Sequence, residues 1–210
     1  MDDLFKGGPA RWSVALKAKT KLLVIGAGGH GQSVAEAAEL SNQFEVVGFA
    51  DDALTVGSLV LGHSILGSTA DVSVYLPLCD QVVVAIGNNA LRARLSDQLV
   101  RSGLLLATVV HPNAIVSPRA CLGAGCAVMA GAIVGTEARL GVGVIVNCGA
   151  VVDHHAKVED YGHLGVGACM AGGAVLGAKA WMQAGSALGY GVEVEAGAIL
   201  PPGSAFPKFH

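Results

Sequence analysis

Apolar residues return with a six-residue period through the second half of the chain. Every sixth residue from Val116 to Leu200 is aliphatic, and the residue two positions before each is nearly always small. The aliphatic positions are Val116, Leu122, Val128, Val134, Leu140, Val146, Val152, Val158, Leu164, Met170, Leu176, Met182, Leu188, Val194 and Leu200.

This period predicts a parallel β-helix over residues 111–210. Each hexad is a short strand and a turn that form one side of a triangular prism, with the aliphatic residue on the axis and the small residue where the wall bends. Three hexads make a coil, so about five stacked coils are expected. A sandwich of ordinary strands has a period that also divides six, but it would not hold one phase for so long without a break.

Residues 21–110 follow a different pattern, in which apolar strands alternate with amphipathic helices. The predicted strands are KLLVIGA, FEVVGFADD, QVVVAIGN and a last short strand in LLLATVVHP; the predicted helices are GQSVAEAAELSN and NALRARLSDQLVRSG. The alternation indicates a small parallel α/β domain with a Rossmann-like sheet. Residues 1–20 are mixed in character and are predicted to be a flexible arm.

Composition excludes several classes of function. The formal net charge is −3, with 14% charged residues and no basic block, so nothing favours nucleic acid as a partner. No apolar run reaches the length of about 18 residues that a membrane span needs, and no signal peptide is recognised. The five cysteines lack paired metal spacing, which is typical of reduced, mostly buried thiols in a cytoplasmic protein.

A glycine loop joins the first strand to the first helix. Its sequence, GAGGHG at residues 26–31, has the G-x-G-x-x-G spacing of a nicotinamide-dinucleotide site. The domain is too short for both halves of that fold, however. Backbone N–H groups at a helix N-terminus also suit the diphosphate of another ligand. A tight strand–helix turn without a ligand is the remaining interpretation.

Several motifs together resemble one family. The hexads resemble the left-handed β-helix of the hexapeptide acyltransferases, and the hand is taken from that resemblance. GAGGHG, FADD, AIGNN-x-x-R, VHP and NCGAVVDHH, in this order, resemble the NeuD/PglD-type bacterial sugar acetyltransferases over residues 21–203. The resemblance implies acetyl transfer from acetyl-CoA to the amine of a nucleotide-linked amino sugar, such as a 4-amino-4,6-dideoxy hexose, in surface-glycan synthesis of the lipopolysaccharide or O-antigen kind. It also implies a homotrimer with active sites between subunits.

The resemblance assigns the glycine loop to the nucleotide-diphosphate sugar rather than to a dinucleotide. The residues expected to contact this substrate are Gly28, Gly29, His30, Asp51, Asp52 and Gly87. The two aspartates end the second strand and would meet the nucleoside by hydrogen bonding, and Gly87 would let the backbone approach the ligand.

The motif VVDH assigns the general base to His154. Histidine suits this role because imidazole titrates near neutrality. The family commonly has an acidic residue next, which favours the protonated form of the base; here the next residue is His155. An imidazole can orient His154 by a hydrogen bond, and on that ground His155 is also a catalytic candidate, but it brings no negative charge. Asp153 is adjacent, although neighbouring side chains in a strand point to opposite faces.

The remaining predicted site residues bind acetyl-CoA. The resemblance places His163 and Gly172 against the acetyl group or the coenzyme A arm, and Ala184 where the pantetheine arm runs along the coils. Direct transfer to a bound amine needs no acyl-enzyme, so Cys148 and Cys169 are interpreted as core residues rather than nucleophiles. No metal is expected.

Three other functions remain open at this stage. His154, His155 and His163 invite comparison with the zinc-binding carbonic anhydrases built on left-handed β-helices, although adjacent histidines would face different directions. The same fold could transfer acetyl to a sugar hydroxyl, as in sialic acid O-acetylation. The missing acidic residue is also compatible with a sugar-nucleotide binder that has lost activity.

Overall fold

A computed structural model describes residues 18–70 and 72–207 of the chain. The predicted N-terminal arm lies outside the described residues except for its last three positions, 18–20. No cis peptide bond occurs in the described part.

The first part of the chain folds into one sheet with three helices. Its elements are β1 (Thr20–Ile25), α1 (Gly29–Leu40), β2 (Phe44–Ala50), β3 (Leu59–Val60), β4 (His63–Gly67), α2 (Val72–Tyr75), β5 (Gln81–Val84), α3 (Asn89–Arg101) and β6 (Leu105–Leu106). The strand order is β3-β4-β2-β1-β5-β6, and all neighbours are parallel except β3 and β4. The strands of β1 and β5 are buried runs of Leu, Val and Ile, as expected for a parallel sheet covered on both faces.

The β3–β4 hairpin and α2 were not predicted. The hairpin turns through Leu61 and Gly62, both with positive φ, and adds an edge to the sheet beside β2. Its strands are too short and too mixed in polarity for a clear period-two pattern, which explains the omission.

The second part is a parallel β-helix of seventeen two-residue strands. They are β7 (Val109–Val110), β8 (Ile115–Val116), β9 (Cys121–Leu122), β10 (Ala127–Val128), β11 (Ile133–Val134), β12 (Arg139–Leu140), β13 (Ile145–Val146), β14 (Val151–Val152), β15 (Lys157–Val158), β16 (His163–Leu164), β17 (Cys169–Met170), β18 (Val175–Leu176), β19 (Trp181–Met182), β20 (Ala187–Leu188), β21 (Glu193–Val194), β22 (Ile199–Leu200) and β23 (Ala205–Phe206). Every third strand pairs with the next in register, which generates three sheets. The predicted fold class, an α/β domain followed by a parallel β-helix, is confirmed.

We name the three sheets as faces of a prism. The first face contains β7, β10, β13, β16, β19 and β22; the second face contains β8, β11, β14, β17, β20 and β23; the third face contains β9, β12, β15, β18 and β21. The second residue of each central strand points inward, as Val146, Val152 and Val158 show by complete burial. The small residues two positions earlier, such as Ala150 and Ala156, are also fully buried in the same core.

The segment LLLATVVHP does not form one strand of the α/β sheet. Leu105–Leu106 pairs with β5, whereas Val109–Val110 pairs with Ala127–Val128 and starts the first face of the β-helix. Val110 lies six residues before Val116, so the hexads begin one repeat earlier than predicted. They also continue to Ala205–Phe206.

The α/β part packs against the first face. The outward residues Val109, Ala127 and Ile145 share a buried cluster with residues of α1, β1, β2 and β5. His163 continues the same outward row one coil further on. The corner where the second face meets the third lies opposite the first face, because a triangular prism has one edge across from each side. We call this edge, formed by residues 136–137, 154–155, 172–173 and 190–191, the far corner.

Candidate functional site

The glycine loop leaves an open surface at the start of α1. Gly26 has φ +98° and Gly31 packs against the Gly26 carbonyl, so both are required by the turn itself. A Cβ on Gly28 or Gly29 would meet nothing within 4 Å. No side chain caps the helix N-terminus, so its first N–H groups are available to an anion.

The two aspartates at the end of β2 shape the adjacent loops. Asp51 accepts hydrogen bonds from the backbone N–H of Ala27 at 2.8 Å and of Ala53 at 2.9 Å. Asp52 accepts from the Thr69 hydroxyl at 2.7 Å and the Thr69 N–H at 2.8 Å, and these bonds hold the pKa of the Asp52 carboxyl below its usual range. Asp51 therefore fixes the glycine loop; nucleoside contact by either residue stays a prediction.

A second open position lies at the start of α3. Gly87 has nothing within 4 Å of its Cβ position. Asn88 caps the helix, with its side-chain oxygen accepting the Leu91 N–H at 2.9 Å. The Asn89 amide donates to the Lys179 carbonyl at 2.9 Å and so ties α3 to the β-helix.

His163 lies where these elements meet the first face. Its side chain is 7% exposed, and its ring stacks on Trp181 with centroids 5.5 Å apart and an interplanar angle of 14°. Within the described residues, neither ring nitrogen of His163, nor Trp181 Nε1, nor His30 Nε2, has a partner in good hydrogen-bond geometry. A cavity of about 420 Å³ opens beside His163 and Trp181. Its lining is Gly87, Asn88, Asn89, Ala90, His163, Lys179, Trp181, Gly197 and Ile199.

Both histidines of this junction are held neutral. Burial, followed by the positive charge of Arg92 and then His30, lowers the pKa of His163 to about 3, while the backbone of Gly87 acts in the opposite direction. Burial and Arg92 lower the pKa of His30 to about 4. Near neutral pH these rings offer one N–H donor and one acceptor each, without charge.

Arg92 connects the two parts of the chain. It is 1% exposed, and burial lowers its pKa to about 10. Its guanidinium donates to the carbonyls of Gly143 at 2.8 Å and Tyr161 at 2.7 Å in the β-helix, and to the Ile86 carbonyl at 2.8 Å. It also donates to the Asn89 side chain at 2.9 Å. The motif AIGNN-x-x-R contains this arginine, although its role was not predicted.

His154 stands on the far corner, away from this junction. A Cβ on Gly172, one coil further on, would lie 2.6 Å from His154 Nε2, so the bare glycine makes room for the ring. Tyr190, in the following coil, has its ring centroid 6.4 Å from that of His154. The His154 side chain is 48% exposed, and Nε2 lies 3.7 Å from Asp153 Oδ2.

His155 contacts both His154 and an acidic residue. The Nδ1 atoms of His154 and His155 are 3.1 Å apart. His155 Nε2 lies 3.3 Å from Glu137 Oε2, in the preceding coil. Asp153 Oδ1 accepts the backbone N–H of His154 at 2.7 Å. Glu137 was not singled out in the sequence, because it is distant from VVDH along the chain and only the stacking of coils brings it near.

The structure thus groups the predicted residues into separate places within one chain. His154, His155 and Gly172 share the far corner, whereas His163 lies on the first face with His30 and Gly87. Ala184 is exposed at the turn from the first face to the second.

The zinc interpretation requires three converging imidazoles, but His163 is on a different face from His154 and His155. In residues 18–70 and 72–207, no group of three or more His, Cys, Asp or Glu side chains is placed to hold a metal ion.

The cysteines differ from expectation in their burial. Cys79 and Cys126 are buried, but Cys121, Cys148 and Cys169 are exposed, and all five are free thiols. Cys121 and Cys169 occupy the first, outward position of their strands, and Cys148 lies in a turn. The interpretation of Cys148 and Cys169 as core residues is therefore wrong.

Comparisons with known proteins agree with the sequence motifs. Residues 21–99 match the model of the PglD N-terminal domain. A search of curated protein sequences found no match.

No helix in the described part of the chain has the length and apolarity to cross a membrane.

Two solved structures are similar over nearly the whole chain. A variant of GDP-perosamine N-acetyl transferase from Caulobacter crescentus, in complex with CoA and GDP-perosamine, is 32% identical with a TM-score of 0.85, covering 90% of this chain and 91% of its own. The acetyltransferase domain of PglB from Neisseria gonorrhoeae FA1090, in complex with acetyl coenzyme A, is 34% identical with a TM-score of 0.71, covering 91% and 97%. The identity and coverage show that this chain belongs to the NeuD/PglD-type family of acetyl-CoA-dependent sugar acetyltransferases.

Proposed function

We propose that this chain transfers the acetyl group of acetyl-CoA directly to the amine of a nucleotide-linked amino sugar, with His154 as general base. The observation that carries this proposal is the placement of His154. Its ring rests on Gly172, its Nδ1 is engaged by His155, and its Nε2 lies 3.7 Å from Asp153 Oδ2, beyond hydrogen-bond distance, where it can take a proton. An exposed base with one oriented nitrogen and one free nitrogen suits proton abstraction from an amine.

The proposed reaction balances with the two substrates and His154 as the proton carrier. The amine nitrogen attacks the thioester carbonyl, and its proton moves to His154 Nε2. The tetrahedral intermediate collapses with cleavage of the C–S bond, and the coenzyme A thiolate takes the proton from the same nitrogen. We assign the backbone of Gly172 to the acetyl group and Ala184 to the pantetheine arm.

The glycine loop is proposed to hold the sugar nucleotide. Gly28 and Gly29 leave space at an uncapped helix N-terminus, which suits a diphosphate. His30 and Gly87 line the same side of the molecule, and Asp51 and Asp52 stand at the end of β2 for the nucleoside. The ring nitrogens of His163 lack a partner in good hydrogen-bond geometry and lie beside the cavity, so we propose that a polar ligand bound there supplies that partner.

The geometry favours an active site shared between subunits. Because the far corner lies across the prism from the first face, the glycine loop of a chain is remote from its own His154. A second subunit can bring its far corner against the open side of the α/β part. A cyclic trimer provides three such equivalent contacts, and we propose that the enzyme works in this form.

The decisive assay measures free thiol released from acetyl-CoA against a panel of nucleotide-linked amino sugars. GDP-perosamine is the first substrate to test, since the relative from Caulobacter crescentus was crystallised with it. We expect turnover on one sugar and a loss of roughly 10²–10⁴-fold in His154→Ala, as for other general bases.

Other results would change the proposal in defined ways. Undiminished turnover in His154→Ala would refute the assigned base while leaving the reaction. Thiol release only with a hydroxyl acceptor would replace N-acetylation by O-acetylation. Mixing His154→Ala with a glycine-loop variant, such as Gly28→Glu, tests the shared site: hybrid trimers regain activity only if the two residues act from different subunits.

A further inference from the structure

We propose that Glu137 is a positioning residue that acts on His154 through His155 and supplies a negative charge to this pair of rings. This inference rests on His154 being the base proposed above. The far corner carries the three side chains in a row: His154 Nδ1 is 3.1 Å from His155 Nδ1, and His155 Nε2 is 3.3 Å from Glu137 Oε2.

The acceptor character of a carboxylate sets the direction of this row. An ionised Glu137 can only accept a hydrogen bond, so it favours the tautomer of His155 that carries its proton on Nε2. His155 Nδ1 then carries a lone pair and accepts from the Nδ1–H of His154. That tautomer of His154 leaves its Nε2 unprotonated, which is the state a general base requires. Two neutral histidines without the carboxylate would have no such preference.

Backbone conformation gives a second, independent observation. Every sixth residue from Gly125 to Gly203 occupies a turn position with φ between 58° and 75°. Glycine, which adopts this left-handed conformation freely, fills ten of these fourteen positions. The exceptions are Glu137, His155, Tyr161 and Lys179.

Each of the four exceptions makes a contact that explains its place. Tyr161 is buried at the junction with the α/β part, and Lys179 lines the cavity there, so both side chains have surroundings that a glycine would leave empty. Glu137 and His155 face each other in successive coils of the far corner. Their side chains stand at positions where glycine would be less strained, which is consistent with a use beyond the turn.

The groups around His154 include one competing carboxylate. Asp153, His155 and Tyr190 face the ring, and Glu137 reaches it through His155. Asp153 already accepts the backbone N–H of His154 and lies 3.7 Å from Nε2, the nitrogen that must stay open to the substrate. Glu137 acts on the opposite side of the ring, through Nδ1, where it orients His154 without blocking it.

The charge balance during transfer follows from this arrangement. When His154 Nε2 takes the amine proton, the new positive charge lies between the two rings, since the Nδ1 proton can shift toward His155. Glu137 then faces an imidazolium instead of a neutral ring. When the thiolate takes the proton back from Nε2, the Nδ1 proton returns and the row is unchanged.

The test compares Glu137→Gln with the wild-type enzyme in the thiol-release assay over a range of pH. We expect kcat to fall by roughly 10-fold, with KM for both substrates within about 2-fold, because only the charged transition state is affected. The acidic limb of the kcat profile should move to lower pH, since a lost negative charge disfavours protonation of the base. Glu195→Gln, an exposed glutamate of a later turn, is the matched control and should behave as wild type.

A rescue separates charge from structure. His155→Glu in the Glu137→Gln background places a carboxylate directly beside His154 Nδ1, and Glu137 shows that glutamate fits this turn position. We expect the rate to return to within about 3-fold of wild type. A double variant that stays at the Glu137→Gln rate would overturn the proposal, as would an unchanged rate and pH profile in Glu137→Gln.

Failure of this inference is distinguishable from failure of the proposed base. If His154→Ala is inactive while Glu137→Gln matches wild type, only the role of Glu137 is wrong. If His154→Ala retains the wild-type rate, His154 is not the base, and the row acting on it is rejected as well. Asp153→Asn, assayed alongside, should change kcat less than Glu137→Gln; the reverse order would assign the charge to Asp153.

Discussion

Two pairs of histidines lie on opposite sides of the prism, and their surroundings differ in burial and in neighbouring charge. His30 and His163 lie at the junction between the α/β part and the first face, where burial and Arg92 lower their pKa values to about 4 and about 3. His154 and His155 lie on the far corner, half exposed and in contact with each other and with carboxylates.

The difference shows how one residue type serves two purposes. A histidine beside a buried guanidinium stays neutral and can only donate or accept hydrogen bonds to a ligand. A histidine on an exposed corner is open to a substrate amine, and its acidic neighbours can orient the ring. Position in the coil, rather than residue type, therefore decides which histidine is suited to act as a base.

The largest effect is expected from displacing the ring of His154 alone. In Gly172→Ala the added methyl group would lie 2.6 Å from His154 Nε2 and displace the imidazole. We expect kcat to fall by roughly 10²-fold, as for other small misplacements of a reacting group, with little change in the melting temperature. In a His154→Ala background the same substitution should have no further effect, and an added loss there would mean that Gly172 acts independently of the ring.

Substitution of Arg92 is expected to have the next largest effect, a loss of folding stability. Arg92→Lys keeps the charge but loses the fork that reaches Gly143, Tyr161 and Asn89 at once. Because several buried acceptors would lose their donor, we expect the free energy of unfolding in urea to fall by about 3 kcal/mol or more. Arg94→Lys, exposed on the same helix, should change it by less than about 0.5 kcal/mol. Equal losses in the two variants would show that Arg92 does not stabilise the junction.

His30 and His163 make stability depend on pH. Their pKa values in the folded state lie below the ordinary value of 6.5, so the unfolded chain binds protons more readily in this range. The contribution of these two neutral rings to the free energy of unfolding is therefore fully present above about pH 6.5. It is lost as the pH drops toward 4, by an amount on the order of a few kcal/mol.

His163→Phe should remove part of this dependence. It should also raise stability at neutral pH by about 1 kcal/mol or more, because a buried ring whose nitrogens lack partners in good hydrogen-bond geometry is replaced by an apolar one. At the same time the KM for acetyl-CoA should rise, because His163 is predicted to contact that substrate. Urea unfolding between pH 4 and pH 8 measures the slope, and an unchanged slope in the variant would show that His163 titrates normally.

The smallest expected effect concerns Asn88, which lines the cavity and caps α3. Asn88→Ala should reduce the free energy of unfolding by about 1 kcal/mol through loss of the cap. Asn88→Ser keeps a capping oxygen and should retain most of that stability. A higher KM for the sugar nucleotide in Asn88→Ser would show that Asn88 also contacts the ligand. An unchanged KM would show that Asn88 acts only as the helix cap.

The hexads were predictable because each one repeats the same burial problem. An aliphatic residue on the axis and a small residue at the bend are needed in every coil, so the period survives along the chain. The prediction missed the first repeat, at Val110, which lacks the small partner because the residue two positions before it is Thr108. It also failed at β3 and β4, whose few residues have no period to detect.

The candidate site residues could be predicted from sequence motifs, whereas the contacts between residues of different coils required the structure. The base in VVDH and the glycines of GAGGHG are contiguous in sequence and could be named from it. Glu137 and Trp181 could not, since they are brought to His155 and His163 only by the stacking of coils. Arg92 stood in a recognised motif, but its task became visible only with its β-helix partners.

The sequence alone thus determined the class of fold and the family, because periodic burial and short contiguous motifs are local properties of the chain. Tertiary structure decided which histidines are buried and which are exposed. It also placed the glycine loop and His154 on opposite sides of one chain, and set Glu137 beside His155. These relations depend on the stacking of coils and on the face against which the α/β part packs, and neither is encoded within any single repeat.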